Sequence, residues 1–136
     1  LARSVEAGAQ PLEGGKADPA ELARLVELIG SGGTAEAAGL MASLAHICEA
    51  CAERVISDPE GEPLTVVLKA LGLKRKAFAE TIEDWRSSPD VALSPNRDVE
   101  DLKALFDTLS FNKARVLLTY WDWAARRSGP YARQAA

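Results

Sequence analysis

The stretch Asp58–Phe78, DPEGEPLTVVLKALGLKRKAF, decides the fold class of this 136-residue chain. Pro59 and Gly61 are typical of a tight turn, and Pro63 suits the first turn of the helix that follows. Gly72 fits a left-handed residue at the end of that helix, and another helical pattern begins directly afterwards. The stretch therefore predicts a turn, a short helix, a glycine break and a second helix. It holds no acid, base, nucleophile or metal cage arranged for catalysis.

Helical signals continue on both sides of this stretch. Asp18 is predicted to cap a first helix that Gly30 ends, and Thr34, Asp98 and Ser110 are predicted to cap later helices. No hairpin dipeptide lies between alternating apolar and polar residues, as β-strands would require. The chain is therefore predicted to be all-α, with about five to seven short helices in consecutive antiparallel pairs. They would form an α-solenoid-like stack or an orthogonal bundle.

The chain is short enough for a single domain with unstructured ends. Residues 1–17 are rich in Ala, Gly and Glu and have no apolar period, which predicts a linker or disordered segment. Residues 18–128 form the predicted helical domain, and residues 129–136 form a mobile tail after Gly129 and Pro130. Because the chain begins at Leu1 rather than Met, we expect the natural protein to be longer.

A weak internal repeat appears when the chain is shifted by 26 residues. Ile56 then falls on Ile82, several other apolar positions match, and His46 falls on Gly72. The match favours a helix break near His46 over one continuous helix of about 20 residues. Two such helical pairs would resemble a short α-solenoid, whereas chance similarity of two amphipathic segments is the alternative.

Composition and charge place limits on location and partners. Hydrophobic residues make up 47% of the chain and charged residues 26%, as in ordinary globular proteins. No apolar run approaches the ~20 residues of a membrane span, and the N-terminus does not resemble a secretory signal. Two cysteines without an export signal favour a reducing cytoplasm. The net charge is −4, with −7 in residues 1–62 and +3 in residues 63–136, which leaves room only for a local nucleic-acid patch.

Two segments carry a family resemblance. SDPEGEPLTVVLKALGLKRKAF, followed by DLKALFDTLSFNKARVLLTYW, resembles the C-terminal half of the bacterial domain-of-unknown-function family 2336, over about residues 20–125. The resemblance implies an all-helical, repeat-like fold in the alphaproteobacterial cytoplasm, with no known activity and no catalytic residues. His46 stands where that pattern has glycine. The matching positions are Asp58, Pro59 and Gly61; Ala70 to Leu73; Phe78; and Leu102, Phe106, Leu109, Ala114, Leu118 and Trp121.

His46, Cys48 and Cys51 form H-x-C-x-x-C, which is a partial metal-binding pattern. A structural zinc site normally has four ligands, and only a carboxylate such as Glu49 or Glu53 could complete this one, because the chain has no further histidine or cysteine. Buried packing therefore explains the cysteines better, and we predict neither a metal nor a cofactor. A phosphate-accepting role for His46 is disfavoured because Glu49 would repel the phosphate.

The segment VVLKALGLKRKAFAETI resembles a DNA-binding helix-turn-helix. Lys74, Arg75 and Lys76 stand at the start of its second helix, where a recognition helix meets DNA. Leu68 is bulky where the motif needs a small residue, and acids such as Glu80 would face phosphate. DNA binding is therefore an alternative rather than the leading hypothesis.

The last predicted helix has two apolar stripes, although a surface helix needs only one. Either this helix is central in the domain, which is the favoured interpretation, or another chain covers one stripe. A homodimer or another part of the full-length protein could supply that cover. The first stripe consists of Ala114, Leu117, Leu118 and Trp121, and the second consists of Val116, Tyr120 and Trp123.

These patterns favour a noncatalytic protein-interaction or scaffold module. The chain lacks a paired-carboxylate, Ser/His/Asp or phosphate-loop arrangement, and its single histidine leaves little for acid–base chemistry, so we predict no enzyme. A protein partner or a homodimer is the expected ligand, with Val116, Tyr120 and Trp123 as the contact residues. A helix-turn-helix DNA-binding regulator is the alternative, and no membrane association is expected.

Overall fold

This computed structural model describes residues 16–127 of the chain. Within these residues the chain forms seven α-helices and no strand. The all-α prediction is confirmed. No helix among them is long and apolar enough to cross a bilayer. The predicted linker, as far as residue 15, and the predicted tail lie outside the described residues. The helices are α1 Pro19–Gly30, α2 Thr34–Ala45, α3 Glu49–Ser57, α4 Glu62–Ala70, α5 Arg75–Arg86, α6 Val99–Thr108 and α7 Phe111–Arg127.

Local side-chain hydrogen bonds begin three of the seven described helices, as the sequence predicts. The side chains of Asp18 and Asp98 accept hydrogen bonds from backbone N–H groups in the first turns of α1 and α6. The Ser110 hydroxyl accepts one from the backbone of α7 at 3.0 Å. The prediction that Thr34 caps α2 is wrong, because Thr34 is already the first helical residue. Gly32 has a positive φ of 85°, so the chain turns before Thr34 and α2 begins at Thr34.

The predicted break at His46 is confirmed. His46 has φ 60° and ψ 47°, so α2 ends at Ala45 and α3 begins only at Glu49. Gly72, the residue that the repeat aligns with His46, also has a positive φ, of 93°. Each of these two corners therefore turns through a left-handed residue, a conformation that costs a non-glycine residue about 1–2 kcal/mol.

The core is centred on α4, which packs against α3, α6 and α7. The first three helices pack in sequence order, α1 on α2 and α2 on α3, whereas the largest interface of α4 is with the distant α7. Phe78 of α5 stacks on Phe106 of α6, with ring centroids 4.3 Å apart. The buried residues of α4 are Leu64, Thr65, Val66, Val67, Leu68 and Ala70.

The Asp58–Gly61 turn fits against the loop between α5 and α6. Gly61 has φ 76°, and a Cβ atom there would lie 2.6 Å from Leu93 and 3.1 Å from Leu102. The positive φ favours glycine here, and any other residue would also force the Leu93 side chain to move. The Arg97 side chain of the same loop donates to the Glu60 carbonyl at 2.8 Å. The turn thereby anchors the loop onto the start of α4.

Candidate protein-interaction surface

One face of α7 exposes three large apolar side chains, which we call the α7 stripe. Val116 is 66% exposed, Tyr120 is 61% exposed and Trp123 is 54% exposed. They are the exposed large hydrophobic residues of the described chain. Steps of four and three residues bring them onto one side of a helix. The three residues predicted from the sequence are therefore together on the surface.

The aromatic part of the stripe is ordered by contacts within α7. The rings of Tyr120 and Trp123 lie 6.1 Å apart, centroid to centroid, at an interplanar angle of 31°. The Arg127 guanidinium lies 4.8 Å from the centroid of the Trp123 ring, within the range of a cation–π interaction. Trp123 is thus contacted by Tyr120 on its N-terminal side and by Arg127 on its C-terminal side.

The opposite side of α7 packs into the core. Ala114, Leu118 and Ala125 are buried, and Trp121 is half-buried against the same cluster. The favoured interpretation, that α7 is central and buries both stripes, is wrong for the described residues. The reason is that α4 contacts only one side of α7, and no other described helix covers the stripe.

Two charged side chains of α7 hold the corner between α2 and α3, and we call this pair the α7 clamp. The Arg115 Nη1 atom donates to the Ala45 carbonyl at 3.2 Å, just before His46. The Asp122 Oδ1 atom accepts from the Cys48 backbone N–H at 2.7 Å, just after it. Arg115 and Asp122 are about two helical turns apart on one side of α7, so they reach both ends of the corner.

Burial shapes the electrostatics of the clamp. Arg115 is only 4% exposed, and burial lowers its pKa from the ordinary value. Its carbonyl partner lies at the C-terminal end of α2, where the helix dipole favours a positive charge. Burial alone would raise the pKa of Asp122, but hydrogen bonds from Cys48 and from Arg126 outweigh it and lower that pKa. Asp122 is therefore held as a carboxylate.

A cleft of about 230 Å³ opens beside the stripe. Successive residues of a helix are 100° apart around its axis, which places Ala124 between Tyr120 and Trp121 on α7. Ala124 and Trp121 line the cleft, and Tyr120 belongs to the stripe, so the cleft borders the stripe. Its volume suits one large side chain. The cleft is lined by Cys51, Arg54, Val55, Asp58, Pro63, Trp121 and Ala124.

The H-x-C-x-x-C residues are separated by the corner. His46 is exposed, Cys48 precedes α3, and Cys51 is buried within it. Burial, with a smaller contribution from Cys48, raises the pKa of the Cys51 thiol to about 11. Such a thiol is a poor nucleophile at neutral pH. Within residues 16–127, no three His, Cys, Asp or Glu side chains are grouped so that they could hold a metal ion.

The basic residues of the helix-turn-helix hypothesis lie at the start of α5. Lys74, Arg75 and Lys76 are all exposed. Arg75 donates twice to the Asp107 carboxylate of α6, at 3.0 and 3.2 Å. This hydrogen-bonded pair lowers the pKa of Asp107. One of the three predicted DNA contacts is therefore already engaged by an acid of the same chain.

Comparison with known proteins places the chain in a family. Residues 6–119 match a family model described as an uncharacterised protein conserved in bacteria, domain-of-unknown-function family 2336 (DUF2336). The chain is a member of this family. No curated protein and no solved structure matches it.

The DUF2336 match ends within α7. It includes Arg115 and Val116, whereas Tyr120, Asp122 and Trp123 follow its last residue. The match confirms the resemblance drawn from the turn residues and the apolar pattern. Membership in this uncharacterised family assigns no activity to the chain.

The clamp residues of this DUF2336 chain are the functional feature that the sequence interpretation missed. Arg115 stands between Ala114 and Val116, and Asp122 stands between two tryptophans, so both resemble solvent-facing charges in an amphipathic helix. Their spacing of seven residues would put them on one side of a helix next to core positions. This spacing is the signal that the sequence contains. No local sequence pattern, however, identifies the backbone groups some 70 residues away to which the two side chains bind.

Proposed function

We propose that this DUF2336 chain is a noncatalytic protein-interaction module that binds another protein through the α7 stripe. The observation that carries the proposal is the exposure of Val116, Tyr120 and Trp123, each more than half exposed, on one helix face. Large exposed apolar groups on a helix mark interaction sites, and Tyr and Trp are enriched among the residues that dominate binding energy. The two unpaired cysteines suit a reducing cytoplasm, where we place the module.

The rigidity of α7 supports this proposal. The side of α7 away from the stripe is fixed by Leu118 in the core and by the clamp residues Arg115 and Asp122. Tyr and Trp have few rotatable bonds, so ordering them on binding costs little conformational entropy. A preformed stripe therefore keeps more of its contact energy as affinity than a flexible segment would.

Site-specific photo-crosslinking in the native cells tests the proposal. A photoreactive phenylalanine analogue in place of Tyr120 is expected to form a covalent adduct with a second protein. The matched control carries the same analogue in place of Glu80, an exposed residue on α5, and is expected to give no such adduct. Adding Trp123→Ala to the first variant should abolish the adduct. Equal crosslinking from both positions, or none from position 120, would contradict the proposal.

DNA binding through Lys74, Arg75 and Lys76 is the second candidate. It is favoured by three successive exposed cations at the start of α5 and opposed by the pairing of Arg75 with Asp107. If it holds, duplex affinity falls steeply with salt and is lost in the Lys74→Ala/Arg75→Ala variant. Absent or salt-insensitive binding in a duplex titration would remove this candidate.

A further inference from the structure

We propose that the segment docking on the α7 stripe is an acidic amphipathic helix of a partner protein. This inference rests on the proposed function and adds the chemistry of the partner. The charges around the stripe carry it: Lys113 and Arg127 are exposed on α7, whereas Arg126 is paired with Asp122. The single acid of α7 is Asp122, whose side chain is only 17% exposed and is bound to Cys48 and Arg126. The rim of the stripe is therefore positively charged.

The spacing of the stripe fits one helix. Val116, Tyr120, Trp123 and Arg127 follow one another in steps of four, three and four residues, the spacing of a coiled-coil seam. The strip is roughly 17 Å long, at 1.5 Å per residue, and about one helix wide. A partner helix with apolar residues at the same steps would cover it, and one large side chain could enter the bordering cleft.

A second copy of the chain fits this surface poorly. If two α7 helices packed in parallel, Lys113 would face Lys113 and Arg127 would face Arg127. In the antiparallel arrangement, Lys113 would face Arg127 of the other copy. Both arrangements bring like charges together, which disfavours association. The strip is also far smaller than the ~2,000 Å² or more that obligate homodimers bury.

An anionic membrane surface also fits less well than an acidic helix. The chain carries a net charge of −4, and an extended anionic surface would approach many of its acidic residues, whereas a single acidic helix would approach only the stripe and its rim. A narrow row of three side chains gives little apolar area for lipid insertion, whereas it matches the contact row of one helix. The local positive rim therefore suits a small acidic partner segment.

A displayed library of helical peptides tests the inference. Each peptide is about 16 residues long and has leucines in steps of four, three and four, with Glu, Gln or Lys randomised at the flanking positions. Selection on the full chain is expected to enrich acidic peptides whose affinity falls roughly tenfold between about 50 and 300 mM salt. Selection on the matched charge-reversed variant Lys113→Glu/Arg127→Glu should enrich basic peptides instead.

The outcomes separate the inference from the proposed function. Peptides that need Trp123 but show no charge preference would overturn the acidic helix and leave the interaction function standing. If no enriched peptide depends on Trp123, and photo-crosslinking at position 120 also fails, both proposals fall. A dimer in analytical ultracentrifugation, or binding to phosphatidylglycerol vesicles, that Trp123→Ala abolishes would also overturn the acidic helix.

Discussion

His46 forms the corner between α2 and α3 with a backbone conformation that is unfavourable for a non-glycine residue. Its backbone lies in the left-handed region, which costs a non-glycine residue about 1–2 kcal/mol. Its side chain is exposed, and among the described residues the imidazole makes no hydrogen bond that would offset the strain. The corner is held locally by the Ile47 N–H, which donates to the Ala42 carbonyl at 3.1 Å, and from outside by Arg115 at Ala45 and Asp122 at Cys48.

Replacing His46 by glycine is expected to stabilise the protein. Glycine removes the left-handed strain but increases the conformational freedom of the unfolded chain, so the net gain in the free energy of unfolding is about 0.5–1 kcal/mol. Urea unfolding at neutral pH measures it. His46→Ala is the matched control, because it removes the imidazole and keeps the strain, and it should show no gain. Equal free energies of unfolding for the two variants would contradict this explanation.

At the scale of the element, α7 combines three faces with different roles. One face packs Leu118 into the core, a second carries Arg115 and Asp122 to the α2–α3 corner, and a third leaves the stripe exposed. The Asp122 carboxylate satisfies the backbone N–H at the start of α3, where no local side chain caps the helix. A capping group thus comes from another helix rather than from the neighbouring sequence.

Loss of the Asp122 carboxylate is expected to destabilise the fold in a pH-dependent way. Asp122→Ala leaves the Cys48 N–H without its acceptor and should lower the free energy of unfolding by about 1–3 kcal/mol at pH 7. Asp122→Asn keeps an acceptor oxygen, so its loss should be smaller. Because folding lowers the pKa of Asp122, its stabilisation is complete above the unfolded pKa of about 3.9 and is lost as pH falls through the lower folded value.

Urea unfolding of the wild type and both Asp122 variants at about pH 7 and pH 3 tests this pattern. The gap between the wild type and Asp122→Asn should narrow at the lower pH. A gap that is the same at both values, or an Asp122→Ala variant as stable as the wild type, would show that the clamp contributes little.

The elements were predictable where short-range chemistry determines them. Asp18, Asp98 and Ser110 bond to residues two or three positions away, so their caps follow from the sequence. The stripe residues also follow from helical spacing alone. Their exposure does not, because it depends on α7 packing against α4 with one side only. The clamp joins residues about 70 positions apart, and no local pattern encodes such a contact.

At the scale of the whole molecule, the core and the proposed binding surface share one helix but use different residues. The core collects around α4, in which six of the nine residues are buried, and α7 closes it from one side. Phe78, Phe106 and Leu118 are fully or almost fully buried, whereas Val116, two residues before Leu118, is 66% exposed. Stability and binding can therefore be changed independently by neighbouring substitutions.

Leu118→Ala and Val116→Ala should separate these two contributions. Leu118 is completely buried, so truncating it should cost about 2–5 kcal/mol in the free energy of unfolding. Val116→Ala should stay within about 0.5 kcal/mol of the wild type, because its side chain faces water. Chemical denaturation gives both values. Similar losses for the two variants would mean that the stripe is covered within the folded chain.

The α7 clamp also affects the direction in which the two aromatic rings of the α7 stripe point. The packing of Leu118 in the core and two polar anchors about two turns apart together fix the rotation of α7 about its own axis. Arg115 and Asp122 therefore help to set the direction in which Tyr120 and Trp123 point, through hydrogen bonds to the backbone at Ala45 and Cys48. If the proposed function holds, substitutions in the stripe should change which partner binds without changing the direction in which the stripe faces.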